Sequence, residues 1–268
     1  MLHNPYKVVQ MFEEEVAHYT GAPYAVSVNS CTNALFLACK WHKIEGKEVI
    51  LPKRTYLSPP QSVMQAGGKL VFEDIEWKGV YQLKPFPIYD AAKRLTSNMY
   101  IPGTMMCLSF HIKKQLKIGK GGMILCDSLE AVKWLKARRY EGRTDGMKYH
   151  EDMIDEEGWN MYMTPEQAAR GLTLMQNYPE SVPDIPEDPP YRDLTEFDLF
   201  KKQVEQRFIE NEKTIESLTE ENKSLQSSNK QVDKKESFSG VIWGISILLL
   251  ILLLAFIAYN YFKNKLKL

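Results

Sequence analysis

A serine and a lysine lie close together in the sequence, directly after a short apolar run. The run covers residues 105–108, Ser109 follows it, and Lys114 comes shortly afterwards. A glycine-rich turn at 119–122 then leads into a second apolar run at 123–126. A lysine amine can form an imine with an aldehyde cofactor, and a nearby hydroxyl can hold that cofactor's phosphate. The segment therefore indicates a covalent cofactor site centred on Lys114.

A small polar turn forms a second candidate site. It follows an extended stretch at 25–28 and precedes a helix that is predicted to begin near Thr32. The start of a helix presents backbone N–H groups and the positive end of the helix dipole, which suits a phosphate. The alternative is ordinary N-capping of that helix by Ser30 or Thr32, which needs no ligand.

Two more apolar runs end in side chains that could serve such a site. Residues 49–52 are followed by Thr55 and Tyr56, and the short strand predicted at 87–90 ends in Asp90. Tyr56 taken alone is also typical of a half-buried tyrosine at a strand end.

Taken in order, these segments resemble the motifs of the DegT/DnrJ/EryC1/StrS family of pyridoxal-phosphate (PLP) sugar aminotransferases. The resemblance runs from residue 8 to about residue 176. It includes residues 134–143, similar to the family's R-x-x-R-x-H-G-R, and residues 158–169, similar to its G-[YF]-N-x-R-[ML]-x-[DE]-x-Q-A-A. The resemblance implies PLP as cofactor and transamination of a nucleotide-linked keto-sugar, with glutamate as the expected amino donor.

The resemblance also implies a role for each matching residue. Lys114 would hold PLP and move the reacting proton, while Asp90 would face the pyridine nitrogen and keep it protonated. Tyr56 would stack on the ring, and the phosphate would be held by Thr32, by Ser109 and by Asn160 reaching across a homodimer interface. The full set of implied site residues is Cys31, Thr32, Tyr56, Asp90, Lys93, Ser109, Lys114 and Asn160.

The chain departs from the family pattern in composition and in length. Cys31 replaces a glycine, Lys93 replaces a histidine or glutamine, and Tyr162 replaces an arginine. Only residues 75–89 separate Asp74 from Asp90, where the family has a further strand and helix, and after residue 177 we expect a linker where the family has a small C-terminal domain. The sequence therefore leaves a second interpretation open, a catalytically inactive, membrane-anchored scaffold or interaction protein built on an aminotransferase domain.

For the fold, the sequence predicts a trimmed three-layer α/β domain over residues 1–177, resembling the large domain of fold-type-I PLP enzymes. We expect a mostly parallel sheet with its pocket at the carboxyl ends of the strands. The predicted strands lie near residues 24–28, 48–52, 69–73, 87–90, 105–109 and 122–126.

The remaining residues predict a stalk. Residues 178–194 are rich in proline, which disfavours helix and predicts an extended linker. Residues 195–236 carry apolar residues with occasional asparagines at heptad spacing, which predicts a coiled coil. A single solvated helix or a disordered stalk is the alternative for this segment.

Residues 238–262 contain no charged side chain. The stretch is long enough to cross a bilayer, with Trp243 and Tyr261 near its ends, and it predicts one transmembrane helix followed by a short basic tail at 263–268. A buried helix of a globular domain is the alternative. The expected localisation is a single-pass C-terminal membrane anchor with the N-terminal domain in the cytosol.

Charge and cysteine content exclude other classes of protein. The chain has 34 basic and 34 acidic residues, a formal net charge of zero, which gives no reason to expect a nucleic-acid partner. Its four cysteines form no C-x-x-C pair, so neither a zinc site nor a disulfide framework is predicted.

Overall fold

The structure is a computed structural model of the 268-residue chain. It describes residues 4, 6–144, 147–148, 150–152, 157–186 and 190–195, and beyond them residues 206, 209–210, 212–220, 222–223, 248, 250–251 and 253–254. The chain divides into two units, Met1–Asp198 and Leu199–Leu268.

Seven strands of the first unit form two sheets. The strands are β1 Tyr24–Val28, β2 Glu48–Pro52, β3 Lys69–Glu73, β4 Tyr81–Gln82, β5 Ile88–Asp90, β6 Met105–Ser109 and β7 Gly122–Cys126. The larger sheet has the strand order β1-β7-β6-β5-β4, and β2 pairs with β3 in a separate two-stranded parallel sheet. All six predicted strands are present, and β4 is an addition.

The prediction of one mostly parallel sheet is wrong. In the larger sheet only β5 and β6 pair in parallel, whereas β7 runs antiparallel to both β1 and β6, and β4 runs antiparallel to β5. Because β7 lies between β1 and β6 and opposes both, those two strands still point the same way. The sheet is therefore mixed, although β1, β5 and β6 share one direction.

Five helices of the first unit are α1 Lys7–Thr20, α2 Cys31–Trp41, α3 Ser58–Gln65, α4 Leu129–Arg139 and α5 Pro165–Met175. Side chains alternate between the two faces of the larger sheet, as the period of a strand requires. Val26 and Ile124 pack in one core with α2 and α4, whereas Met106 and Leu125 pack in another with α1 and α5. Two helix layers therefore enclose the sheet, as the three-layer prediction required.

Local sequence signals set the helix ends. Thr164 caps α5 through the backbone N–H of Gln167, whose side chain bonds back to the Thr164 N–H, and Pro165 occupies the first turn. This reciprocal arrangement satisfies two N–H groups that the helix itself leaves unbonded. The first helix, α1, ends at Gly21, whose φ of 74° is a left-handed conformation that glycine adopts without strain.

The described residues of the proline-rich segment after α5 lie against the domain, and the prediction of an extended linker stays a prediction. The Ile185 N–H bonds to the Lys93 carbonyl at 3.0 Å, and the Leu194 N–H bonds to the Lys53 carbonyl at 2.9 Å. Leu194 is buried. The described residues of this segment therefore belong to the first unit.

The second unit contains helical residues within the segment predicted to form a coiled coil. Residues 212–220 are helical, and Ile215 and Leu218 of the predicted seam are exposed. Most of the predicted segment at 195–236 lies outside the described residues, so its pairing into a coiled coil stays a prediction.

No helix in the described part of the chain is long and apolar enough to cross a membrane. The predicted single-pass membrane localisation is wrong on this finding, because it required such a helix. Within 238–262 the structure describes residues 248, 250, 251, 253 and 254, and the rest of the predicted span and the tail at 263–268 lie outside the described residues.

Candidate functional site

Three strand ends meet at one edge of the larger sheet. Because β1, β5 and β6 point the same way, their last residues Val28, Asp90 and Ser109 lie at the same edge. Gly122, the first residue of β7, is in register with both Val28 and Ser109. The sheet therefore brings together three segments that the sequence singled out separately.

The turn after β1 is packed tightly against β7. A Cβ added to Gly122 would lie 2.3 Å from the Ser30 carbonyl carbon and 2.5 Å from the Cys31 nitrogen. Only a residue without a side chain permits that approach. Ser30 Oγ accepts a hydrogen bond from the Asn33 N–H at 3.2 Å, which confirms the capping interpretation for Ser30. Capping does not compete with an anion at the preceding N–H groups, because it uses a different donor.

Asp90 is a buried carboxylate with two hydrogen bonds. Its Oδ1 accepts from the Ala92 N–H at 2.9 Å, and its Oδ2 accepts from the Tyr81 hydroxyl at 3.1 Å. Burial raises the pKa of Asp90, and those hydrogen bonds and the charges of Lys114 and Lys93 oppose that rise. The two lysines thus favour the ionised carboxylate that a protonated ring nitrogen would need as its partner.

Lys114 lies in a loop that folds back on the end of β6. The loop is held by hydrogen bonds from the Phe110 N–H to Gly121 at 2.9 Å and from the Ile112 N–H to Gly119 at 3.0 Å. Lys114 itself is half-buried. Its charge acts on the pKa of Cys31 as well as on that of Asp90. The amine, the carboxylate and the start of α2 therefore form one electrostatic group.

Cys31 packs into this group as a neutral thiol. Burial raises its pKa well above the usual range, the Asp90 charge raises it further, and the Lys114 charge opposes the rise. The Cys31 sulfur donates weakly to the Cys107 carbonyl at 3.5 Å. A thiol held protonated is a poor nucleophile, so Cys31 serves packing and not covalent chemistry.

Three more of the predicted site residues, Thr32, Ser109 and Tyr56, have separate contacts. Thr32 lies in the first turn of α2, where its carbonyl accepts from Ser62, and the Ser109 hydroxyl accepts from the His111 N–H at 3.5 Å. Tyr56 is 59% exposed, and its ring centre lies 6.3 Å from that of Tyr191.

Lys93 has a partner that the sequence did not suggest. Its Nζ donates to the Pro186 carbonyl at 3.1 Å and lies 4.6 Å from the centre of the Tyr191 ring. The side chain is buried beside Asp90, and its amine is directed to the proline-rich segment.

Asn160 lies in a different neighbourhood. Its side-chain amide donates to Glu141 Oε1 at 3.1 Å, and its backbone pairs with Tyr140. Tyr162, which stands where the family has an arginine, packs edge-on against Tyr140 with ring centres 5.1 Å apart. The structure does not join these residues to Asp90 and Lys114 in one subunit.

A pocket of about 500 Å³ opens beside this second neighbourhood. Its walls combine basic and aromatic side chains around a single acidic one. The lining includes Tyr6, Glu13, Lys136, Arg139, Tyr140, Arg143, Lys148 and Tyr162. Such a wall suits an anionic ligand with a planar group.

Glu13 is the acidic residue that lines that pocket. Its carboxylate pairs with Arg139 and lies 3.3 Å from Lys136 Nζ, and it accepts from the Ser27 N–H at 2.9 Å. Burial alone would raise the pKa of Glu13, but the charges of Arg139 and Lys136 and the hydrogen bonds from Arg139 and the Ser27 N–H lower it below its usual value. Sequence reasoning missed this group because its members are far apart in the chain.

Sequence reasoning also missed Tyr81. Its hydroxyl lies 2.8 Å from Thr55 Oγ1 and bonds to Asp90, and its ring packs edge-on against Trp77 at 4.8 Å. The pair of aromatic residues in the shortened stretch before Asp90 was the available signal.

The sequence profile of the DegT/DnrJ/EryC1/StrS aminotransferase family matches residues 1–99 and 100–183, well over half of the chain. The chain belongs to this aminotransferase family. The match confirms the resemblance seen in the motifs, and it continues beyond α5 into the proline-rich segment.

Among curated relatives of this family, the chain is 28% identical over 220 residues to the spore coat polysaccharide biosynthesis protein SpsC of Bacillus subtilis, covering 61% of the chain and 55% of that protein. It is 23% identical over 214 residues to a UDP-4-amino-4,6-dideoxy-N-acetyl-beta-L-altrosamine transaminase of Campylobacter jejuni, covering 63% and 57%. The chain spans about half the length of the curated relatives it matches.

Solved structures share the fold. PseC of Helicobacter pylori, an aminotransferase involved in the biosynthesis of pseudoaminic acid, superposes with a TM-score of 0.54 at 18% identity over 64% of the chain and 58% of that structure. A sugar aminotransferase of Streptococcus pneumoniae, Spr1654, superposes with a TM-score of 0.54 at 19% identity over 64% and 59%, and its structure is a PLP form.

PLP is the cofactor of this aminotransferase family. The residues at the sheet edge fit that cofactor. A buried carboxylate, an amine whose charge acts on it and a helix start held close by Gly122 are groups that would suit the ring nitrogen, the aldehyde and the phosphate of that cofactor.

Proposed function

We propose that this chain is a PLP-dependent aminotransferase acting on a nucleotide-linked keto-sugar in amino-sugar or polysaccharide biosynthesis. The observation that carries the proposal is the buried Asp90 carboxylate under the influence of the Lys114 charge, in a chain of this family.

The roles of the residues follow from their positions. When bound, PLP supplies an electron sink for a substrate carbanion. Lys114 would bind the cofactor through Nζ and move a proton at the reacting carbon. Asp90 would hold the ring nitrogen in its protonated form, and Tyr81 would orient the carboxylate. Thr32 and Ser109 lie at the edge where the phosphate would bind, beside Cys31, and Tyr56 would cover the ring.

The substrate class has its own support. The curated relatives include, by name, a transaminase of a UDP-linked amino sugar and a GDP-perosamine synthase. The pocket beside Asn160 is lined by Lys136, Arg143 and Lys148 together with Tyr6 and Tyr140. Cations and aromatic faces together are suited to a nucleoside diphosphate. Glutamate is proposed as the amino donor.

We propose a homodimer as the working form. Asn160 is exposed and lies with Tyr140 and Glu141, so it would serve a cofactor only across an interface. The exposed seam residues Ile215 and Leu218 of the second unit would support the same pairing as a coiled coil. Lys93 remains a candidate for contact with the cofactor, in competition with its bond to Pro186.

The test uses the purified full chain mixed with PLP. We expect a visible absorbance band and the loss of that band in Lys114→Ala. Lys113→Ala is the matched control, because it removes the neighbouring exposed amine and should leave the band unchanged. Glutamate should then bleach the band with release of 2-oxoglutarate, and a keto-sugar nucleotide should restore it.

Two outcomes of this test would contradict parts of the proposal. A Lys114→Ala protein with the same band as the wild type would refute the assignment of Lys114. A band that glutamate never bleaches would show that the chain binds the cofactor without transaminating, as expected for an interaction protein built on this fold.

A further inference from the structure

Residues 179–186 and 190–194, here called the strap, run along the domain beside the Asp90 edge. Backbone bonds attach the strap at three places: Ser97 N–H to the Glu180 carbonyl at 3.0 Å, Ile185 N–H to Lys93 at 3.0 Å, and Leu194 N–H to Lys53 at 2.9 Å. These backbone hydrogen bonds hold the strap in one position on the domain. A flexible linker that only joins two units would not make them.

A charged latch holds the middle of the strap. Arg94 binds both carboxylate oxygens of Asp184, at 2.8 Å and 2.6 Å, and also donates to the Lys78 carbonyl at 3.1 Å. Two parallel bonds from a guanidinium to a carboxylate fix geometry as well as charge. The latch therefore joins the strap to the short stretch between β3 and β4.

That stretch is shaped to receive the latch. A Cβ added to Gly79 would lie 2.2 Å from the Asp184 carboxyl carbon, so the carboxylate rests directly on the glycine. The φ of Gly79 is +71°, which glycine adopts without strain. A residue with a side chain at this position would displace Asp184.

A series of aromatic contacts connects the strap to the candidate site. The Tyr191 ring stacks nearly parallel to Trp77, with 11° between the planes and 6.2 Å between the centres, and Lys93 Nζ lies over both rings. Trp77 packs on Tyr81, whose hydroxyl bonds to Asp90. Tyr191 also packs beside Tyr56. Displacing Tyr191 would thus disturb two site residues at once.

We propose that the strap closes the cofactor site from within the same chain, and that Tyr191 is a positioning residue for Asp90, acting through Trp77 and Tyr81. The latch between Arg94 and Asp184 sets the docked position. Lys93 is buried, and its amine contacts the strap at the Pro186 carbonyl and at the Tyr191 ring. This inference rests on the proposed function only in its second half, since docking itself does not need a cofactor.

The first measurement is made on PLP-free full-length protein. Hydrogen exchange at the Ile185 amide should be about tenfold faster in Asp184→Ala than in the wild type, because the latch that holds it is lost. Glu180→Ala is the matched control: it removes a charge from the same strap, whose attachment there uses only the backbone carbonyl, so exchange should not change. Equal exchange in wild type and Asp184→Ala would overturn the latch.

The second measurement concerns the cofactor. Tyr191→Ala should raise the dissociation constant of PLP about tenfold and shift the pH at which the bound PLP band changes, because Asp90 loses its orientation. Tyr191→Phe, which keeps the ring, should restore both values. A shift in overall stability with an unchanged pH profile would mean a purely structural role and would overturn the positioning proposal.

The two proposals fail separately. Wild-type protein that protects Ile185 but binds no PLP would refute the proposed function and, with it, the role of Tyr191, while leaving the docked strap established. Protein that binds PLP equally well in wild type, Asp184→Ala and Tyr191→Ala would leave the proposed function standing and overturn closure by the strap.

Discussion

The Tyr81 hydroxyl lies 3.1 Å from Asp90 Oδ2, and the two residues are direct partners in the register of β4 and β5. The short strand β4 thus holds a donor on the buried carboxylate. Because burial raises the pKa of Asp90 and this hydrogen bond opposes the rise, Tyr81 helps to keep the carboxylate ionised.

Removing that donor should be measurable. Tyr81→Phe should lower the free energy of unfolding by about 1 kcal/mol at neutral pH, because a buried carboxylate loses a partner. Urea denaturation checks this. Tyr89→Phe, which removes a longer bond of 3.3 Å to the partly buried Gln82, is the control and should cost less. Equal losses would contradict the special role of Tyr81.

Asp90→Asn separates stability from function. For a carboxyl whose folded pKa is raised, folding becomes less favourable as the pH rises through the interval between the unfolded and folded pKa values. The neutral amide removes the cost of burying an ionised carboxylate, so the PLP-free variant should melt at or above the wild-type temperature at pH 7. It should also gain no thermal stabilisation from PLP. A large loss of stability without PLP would contradict the argument.

Gly122→Ala should damage the fold at the site. The new Cβ would collide with the backbone at Ser30, which cannot move without shifting the start of α2. We expect a loss of about 2 kcal/mol, measured by denaturant titration. Gly103→Ala is the comparison, because nothing lies within 4 Å of the added Cβ. Its only strain is the left-handed φ of +77°, so it should reduce the free energy of unfolding by less than Gly122→Ala does.

Glu13 should control acid stability. Its folded pKa is lowered, so its contribution is complete above the unfolded value of about 4.3 and is lost as the pH falls through the folded pKa. Glu13→Gln should cost about 3 kcal/mol at pH 7, because Arg139 would remain buried without its carboxylate. The difference from wild type should shrink below about pH 4. A difference independent of pH would contradict the ion-pair explanation.

Subunit mixing tests the shared site. Lys114→Ala and Asn160→Ala should each be inactive or nearly so as homodimers. Unfolded together and refolded at equal amounts, they should recover about a quarter of wild-type activity, because half of the dimers are mixed and each has one intact site. No recovery, with mixed dimers present, would mean that Asn160 serves its own subunit or none.

The sequence predicted strand positions well and strand directions poorly. Apolar runs bounded by turn residues located Tyr24–Val28 and Met105–Ser109 without error. The direction of Gly122–Cys126 could not be read in the same way, because its apolar run looks the same in either orientation. β4 was missed because its two residues are too few to show a period.

The candidate site was predicted in part for a similar reason. Lys114, Asp90 and Cys31 carry local motifs, and the structure brings them into one electrostatic group. The role of the strap follows from the carbonyl groups and aromatic rings that its residues contact. The proline content of the segment does not predict those contacts. Tyr191 and Lys93 are distant in the chain, so their contact is visible only in the fold.

All four cysteines are buried, and burial raises the pKa of each thiol, that of Cys39 and Cys126 to about 12. The folded chain should therefore resist alkylating reagents, since the reactive thiolate is both scarce and inaccessible. The rate of alkylation then reports how often the domain opens. A single cysteine introduced at the exposed Glu180 would be the one thiol a dye reaches, which makes the strap's movement observable by fluorescence without replacing any native residue of the core.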